Sequence, residues 1–295
     1  MQKRALFFTQ PYVLSLRNCQ LVVATKEMPS EQRTVPIEDI GYVILEHPQI
    51  KVTLPLLSAL SEANVAVVVC GENRLPCGMM LNLDSNATQG ERFRTQVAVS
   101  EPLKKNLWKQ VIEAKIRNQG RLLDKLGKRG ELLKPYWQNV KSGDADNREG
   151  IASRIYWQEL FGQDFVRMRE GGPPNSLLNY GYTILRAAMA RALMGSGLLP
   201  AFGIFHRNRY NAFPLADDMM EPYRPFVDEM VYEMWRSGAS GLDKEGKGRL
   251  LGVLFVDTHF KKMMRPLDIG LTLTSASLWG CFSGERKLLT LPDLK

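Results

Sequence analysis

The stretch Asp84–Arg92, DSNATQGER, divides two kinds of sequence, and its reading decides the fold. It is polar and rich in turn formers, as a linker or hinge should be. On its N-terminal side stand short β-branched and aromatic runs: RALFFT (4–9), YVLSL (12–16), QLVVAT (20–25) and GYVILEH (41–47). Turn residues separate them, which predicts strands. TLPLLSALSEANV (53–65) has helical spacing instead, with Leu57, Leu60 and Ala63 able to share a face. VAVVVCG (65–71) follows as a strand of the buried type, and CGMML (77–81) as another. On the C-terminal side the pattern changes to long helices. Pro102–Leu126 carries Leu107, Val111, Ala114, Leu122 and Leu126 on or near one face. PNSLLNYGYTILRAAMARALMGSGLLP (174–200) is a second helix, with Asn175 as its N-cap and Gly195, Gly197 and Pro200 as stop signals. RPFVDEMVYEMWRSG (224–238) and Gly248–Met264 read as further helices, and the residues from Ser283 onward as a mobile tail. The expected fold class is α+β in two domains. A small β-rich N-terminal domain, β-sandwich-like with one helix, occupies 1–83. A hinge covers 84–92, and a larger all-α domain covers 93–295.

The composition suits that plan. The chain has 295 residues, 44% hydrophobic and 24% charged, so it can bury a core and is not dominated by disorder. Its formal net charge of +8 favours an anionic partner. Cys19, Cys70, Cys77 and Cys281 are scattered without CxxC spacing, which argues against a zinc site or a disulfide framework. The N-terminus alternates like strands rather than reading as a signal peptide. No uninterrupted apolar run approaches membrane-spanning length. The expectation is a cytoplasmic protein with no membrane partner.

Chemistry-bearing residues gather in two places. LPAFGIFHRNRYNAFPLADDMMEPYRP (199–225) holds His206, one of only three histidines, ahead of Asp217, Asp218 and Glu221. DADNREGIASRIYWQELFG (144–162) holds Glu149 at the start of a helix. Each has a structural reading. Asp146 can cap that helix with Glu149 as the third residue of a capping box. Asp217, Asp218 and Glu221 can be helix-start acids, with Pro222 at the first helical position. The combination points elsewhere, because one imidazole and two carboxylates can bind Mg²⁺ or Mn²⁺. Such an ion polarises a phosphoryl oxygen. Periodicity alone does not bring Glu149 to His206.

REGIASRIYW (148–157), PPNSLLNYGY (173–182), GLLPAFGIFH (197–206) and NAFPLADDMMEPYRP (211–225) follow one another in the order and style of the integrase family of CRISPR adaptation. The MEPYRP block and the length resemble the variant found beside type II systems. The resemblance implies that Glu149, His206 and Glu221 are the metal-binding and catalytic residues, with Asp218 as an accessory acid. It implies transesterification, in which the 3′-hydroxyl of captured DNA attacks a phosphodiester at the edge of the repeat. It also implies DNA, a homodimer paired through the N-terminal domains, and a second CRISPR-associated adaptation protein in a heterohexamer as partners. The type II effector nuclease is a further partner implied for this variant.

Basic residues fit either of two roles. Lys105, Lys109, Arg117, Arg121, Lys125 and Arg129 form a ridge on the long helix, which serves equally as a solvated face or a DNA contact. Arg92, Arg94, Arg186, Arg207, Arg209 and Arg224 are the candidates for phosphate contacts. Tyr12 and Tyr180 are candidates to cap a DNA end. Two other functions remain open at this stage: a branched-DNA repair nuclease, and a non-catalytic basic DNA-binding scaffold.

Overall fold

The structure, a computed structural model, describes residues 3–25, 31–239, 241–261 and 263–295. The chain forms two compact units, 1–87 and 88–295.

The first unit contains strands β1 (Arg4–Phe8), β2 (Tyr12–Arg17), β3 (Gln20–Thr25), β4 (Gln32–Pro36), β5 (Ile40–Leu45) and β6 (Lys51–Val52). Helix α1 (Leu54–Glu62) and strands β7 (Ala66–Cys70) and β8 (Pro76–Met80) complete it. One sheet has the order β1-β5-β7-β8 and the other β4-β3-β2-β6. β5 pairs in parallel with both β1 and β7, and its nearly continuous apolar run is what a strand buried on both faces requires. Phe8, Leu14, Leu21, Val43 and Val67 from the two sheets join Leu56 and Leu60 of α1 in a single core. β4 and β6 are strands that the sequence pattern missed. β4 is mostly exposed and begins Gln-Arg-Thr, and β6 has only two residues, so neither carries an apolar signature.

The second unit is helical apart from one hairpin. Its helices are α2 (Gln89–Ala98), α3 (Glu101–Lys125), α4 (Lys134–Trp137), α5 (Arg148–Phe161), α6 (Asn175–Gly195), α7 (Pro214–Met220), α8 (Arg224–Arg236), α9 (Lys244–Leu251) and α10 (Leu267–Phe282). α2 starts inside the stretch expected to be a linker. Buried α6 is the hub. Val227 of α8 comes so close at Gly181 that a Cβ there would lie 2.4 Å from its Cγ1. α10 is tied to α6 by Ser275 Oγ, which donates to the Ala192 carbonyl at 3.0 Å.

Several local expectations are corrected. Residues 248–264 are not one helix: α9 ends at Leu251, and β9 (Asp257–Phe260) and β10 (Met263–Pro266) form an antiparallel hairpin. α10 has no amphipathic stripe because it is buried nearly all round, and its Gly and Thr residues hide it from propensity. The segment after Ser283 is packed. Leu294 is buried, its N–H donates to Asn118 Oδ1 at 3.1 Å, and Asp293 pairs with Arg117 and Arg121. Asn175 is the first helical residue of α6 rather than its cap. Its carboxamide instead accepts the Met168 N–H and donates to the Val166 carbonyl. Asp146 does not cap α5: its Oδ2 pairs with Arg148 at 2.9 Å, and the N–H groups that open the helix go to Asp144 and Asn147. Asn147 is the N-cap, and Asp144 accepts the N–H groups of Arg148 and Glu149. Asp217 and Asp218 lie inside α7, and Glu221 opens a 3-10 turn between α7 and α8.

Candidate functional site

Helix α3 sets the site out along one buried face. Trp108, Lys115 and Asn118 follow at helical spacing, and all three are buried. Asn118 Nδ2 donates to the Pro222 carbonyl at 2.9 Å and to the Pro292 carbonyl at 3.0 Å. That pair of bonds fixes the turn holding Glu221. One helical turn earlier, Lys115 Nζ lies 2.5 Å from Glu149 Oε1 and 2.6 Å from Glu221 Oε2. The two carboxylates therefore share one cation, and the sum of those contacts bounds the distance between their oxygens. Ser153, one turn along α5, donates a second hydrogen bond to Glu149 Oε1 at 3.0 Å. Arg224 pairs with the other oxygen of Glu221 at 3.0 Å, its guanidinium 4.5 Å from the Tyr182 ring centre.

These charges set each other's protonation. The Lys115 ammonium holds the Glu149 carboxyl down to about 2, against the opposing effect of burial. Burial works against the charge on Lys115, but Glu221 and Glu149 outweigh it and its pKa is raised. The same balance, led by Glu221, raises that of Arg224.

His206 is positioned by a different carboxylate. Its Nδ1 lies 2.5 Å from Asp218 Oδ1. Asp218 is completely buried and also accepts the backbone N–H groups of Ile204, Phe205 and His206. An Nδ1–H committed to Asp218 leaves Nε2 as the lone pair of the neutral ring, the carboxylate–histidine arrangement that orients metal-ligating imidazoles. That hydrogen bond is the largest influence on His206 and raises its pKa, with Asp218, Glu221 and Asp217 adding through space. Phe205 stacks on Trp108 at 4.2 Å between ring centres, and the His206 ring meets Trp108 edge-on at 5.6 Å.

Among the described residues no three His, Cys, Asp or Glu side chains are gathered closely enough to hold a metal ion as they stand. The donor chemistry nevertheless fits a divalent cation. Glu149 and Glu221 already hold a cation between them, the Lys115 ammonium standing in its place. Apart from that ion pair, buried Glu221 Oε2 has no hydrogen-bond partner among the described residues. The His206 imidazole, within electrostatic reach of Glu221, is oriented with Nε2 uncommitted among the described residues.

A cleft of ≈ 660 Å³ opens beside His206, lined by Arg167, Arg169, Arg186 and Arg224 together with Asn211 and Tyr210. Arg186 is fixed there by a two-pronged bond to Asp217, at 2.6 and 2.9 Å. Arg207 and Arg209 line a second groove that also reaches His206, and Arg207 pairs with Glu101. Arg94 is exposed on α2. Arg92 instead packs inward, 4.4 Å from the Trp279 ring centre and donating to the Ser196 carbonyl. Most of the expected ridge is neutralised in place: on α3 Lys109 pairs with Glu113, Arg117 and Arg121 with Asp293, and Lys125 with Glu229, while Arg129 lies past the end of the helix and pairs with Glu159. Tyr180 is buried, and Tyr12 packs edge-on against Phe8. Sequence reasoning passed over Lys115, Asn118, Arg167 and Arg169. The signal for two of them was present: a lysine and an asparagine three residues apart on an otherwise apolar helix face need a reason to be buried.

The family model of the CRISPR associated protein Cas1 matches residues 6–267. The CRISPR-associated endonuclease Cas1 of Neisseria meningitidis serogroup C (strain 8013) is 40% identical over 240 residues, covering 81% of this chain and 78% of its own length. A CRISPR-associated endonuclease Cas1 of Pyrobaculum aerophilum is 28% identical over 256 residues, covering 80% of this chain and 85% of its own. Solved structures share the fold. A casposase bound to integration product superposes with a TM-score of 0.79 at 22% identity, covering 98% of this chain and 93% of its own. A chain of a Cas6-RT-Cas1–Cas2 complex gives 0.76 at 20% identity, covering all of this chain and 37% of its own. A Cas1 protein from Thermotoga maritima gives 0.74 at 15% identity, covering 99% of this chain and all of its own. With the family model spanning most of both units, the chain belongs to the Cas1 family of CRISPR-associated proteins.

Proposed function

We propose that this chain is the DNA endonuclease and integrase of CRISPR spacer acquisition, joining 3′-hydroxyl ends of captured DNA to the repeat by transesterification. The observation that carries this reading is the single cation shared by Glu149 and Glu221, together with anchored His206 on an arginine-lined cleft that Arg224, the partner of Glu221, also lines. Family membership supports the class of activity.

Glu149, Glu221 and His206 Nε2 would hold Mg²⁺ or Mn²⁺; oxygen ligands suit both, and the imidazole favours Mn²⁺. When bound, such an ion stabilises charge on the attacking and leaving oxygens of a phosphoryl transfer. The chain's own residues supply the rest. Glu149, ionised down to about pH 2, acts as a fixed negative charge rather than a proton acceptor. Asp218 keeps the imidazole in one tautomer and one orientation. Arg167, Arg169, Arg186 and Arg224 hold phosphate oxygens along the cleft. A bond forms between the incoming 3′ oxygen and phosphorus as the bond to the repeat's own 3′ oxygen breaks, so the number of phosphodiesters is conserved. No Ser or Tyr nucleophile is required. DNA and a Cas2-type protein are the partners assigned. The sequence resemblance adds a homodimer and the type II effector nuclease. The described residues contain no helix long and apolar enough to cross a membrane.

The test supplies a supercoiled repeat-bearing plasmid, a short duplex and Mn²⁺. Joined product is expected from the native chain and not from Glu149→Gln or His206→Ala variants that still fold and bind DNA. Cutting without joining would favour a branched-DNA nuclease. Joining by both variants at the native rate would remove Glu149 and His206 from the reaction, and salt-sensitive DNA binding with neither cutting nor joining by the native chain would leave a non-catalytic scaffold as the better description.

A further inference from the structure

We propose that Lys115 is a resident counter-cation that holds Glu149 and Glu221 together in the ion-free protein and must leave when a divalent ion enters, thereby setting the affinity of the site for that ion. This rests on the reading of Glu149, His206 and Glu221 as the ligand set.

The geometry leaves little room for both cations. Lys115 Nζ sits 2.5 Å from one carboxylate and 2.6 Å from the other, in the space an ion bridging them would take. Hard divalent ions bind carboxylate oxygens at roughly 2.0–2.6 Å, so ion and ammonium compete for one position. Charge gives the same answer. Glu149 and Glu221 are balanced by Lys115 and Arg224, both within contact distance. Adding two positive charges without removing the ammonium would set cations against each other within about 4 Å, where repulsion in a part-buried site is strong.

The surroundings also permit the exchange. Ser153 retains Glu149 and Arg224 retains Glu221 after the ammonium goes. A lysine stem is flexible enough to move its head while its methylenes stay packed on α3. No proton need be gained or lost. The role also accounts for the absence of a three-ligand cluster among the described residues: the carboxylates are set for the ammonium, and His206 Nε2 is held in reserve.

Mn²⁺ binding to the full chain is measured by electron paramagnetic resonance of the free ion at fixed pH and salt, alongside thermal melting in chelator and in Mn²⁺. Lys115→Met should bind Mn²⁺ on the order of tenfold more tightly than the native chain. It should melt lower in chelator and gain more from Mn²⁺, because the Glu149 and Glu221 carboxylates then face each other without the cation that lay between them. Lys115→Arg is the control of opposite sign. Its guanidinium grips carboxylates with two bonds, so Mn²⁺ should bind more weakly than to the native chain. Equal or weaker Mn²⁺ binding by Lys115→Met overturns the proposal, as does unchanged binding by Lys115→Arg where the methionine variant fails to fold. If the native chain binds no Mn²⁺ that Glu149→Gln abolishes, the ligand assignment itself falls and this proposal with it. If that binding exists and the Lys115 variants leave it unmoved, only the counter-cation role is lost.

Discussion

His206 Nδ1 lies 2.5 Å from Asp218 Oδ1, and that buried carboxylate also accepts three consecutive backbone N–H groups, those of Ile204, Phe205 and His206. One side chain thus shapes the loop and orients the ring. Asp218→Asn replaces a charge with an amide that cannot satisfy all four donors. The His206 pKa, raised in the native chain chiefly by this bond, should fall. DNA joining should drop roughly 10- to 100-fold, the loss expected from the proposed role of His206 as a ligand. An NMR titration of His206, assigned with His206→Gln, tests the first part; an unmoved pKa would contradict the anchoring role.

Gly203 is required by the same loop. A Cβ there would lie 2.7 Å from the His206 carbonyl oxygen and 2.9 Å from Asp218 Oδ2. The first is a backbone atom and cannot simply rotate away. Gly203→Ala should cost about 1–3 kcal/mol of stability and displace His206. Thermal melting and the joining assay should both fall, and a native melting temperature would refute the close approach.

Buried Asp228 gives a pH signature. It accepts a hydrogen bond from Tyr156 Oη at 2.7 Å and another from Tyr182. Burial pushes its pKa up to about 6, although the two tyrosine bonds oppose the rise. In the unfolded chain the value is about 3.9. Below about pH 4 both states are protonated and the contribution is fully present. Between about pH 4 and pH 6 the unfolded chain releases a proton that the folded chain keeps, so stability is lost as pH rises, by about 3 kcal/mol in total. Urea unfolding of Asp228→Asn should lack this component, and identical pH profiles for the two chains would rule it out.

Position separates two classes of arginine. Arg169 faces the cleft, whereas Arg121 on α3 is paired with Asp293. Arg169→Ala should reduce the salt dependence of DNA binding by about one counterion, and Arg121→Ala should leave it unchanged. Binding isotherms across a salt series decide the matter, and the reverse ranking would move the DNA path onto the α3 ridge.

The C-terminal segment is structural. Truncation after Gly284 would remove the Pro292 carbonyl and Leu294 N–H from buried Asn118, and Asp293 from Arg117 and Arg121. Each buried polar group left unpaired costs about 1–3 kcal/mol. A markedly lower melting temperature is expected, and a truncated chain that melts like the native one would restore the picture of a mobile tail.

The strands β1–β3, β5 and β7 and the long helices α3, α6 and α8 could be read directly, because each buries a regular stripe or an apolar run. Others could not, two-residue β6 among them. β4 is exposed, the β9–β10 hairpin follows apolar residues 253–256 that read as helix, and α10 is buried too evenly to show a period. Capping failed at one-residue resolution. Asp146 and Asn147 are both good capping residues, and only the point at which the backbone turns helical, with Asn147 Oδ1 accepting the Gly150 N–H, assigns the role to Asn147.

Residue types and their order determined the two-part plan, the family likeness, and the candidates Glu149, His206, Asp218 and Glu221. These are local properties: periodicity, turn chemistry and short motifs survive in one dimension. Tertiary structure alone decided who meets whom. A lysine 34 residues before Glu149 becomes the cation shared by Glu149 and Glu221, and Asp218 orients His206 rather than joining the other acids. The reason is physical. A buried charge is tolerated only beside its counter-charge, and which counter-charge lies within reach is set by how α3 packs against α5 and the turn at Glu221, not by distance along the chain.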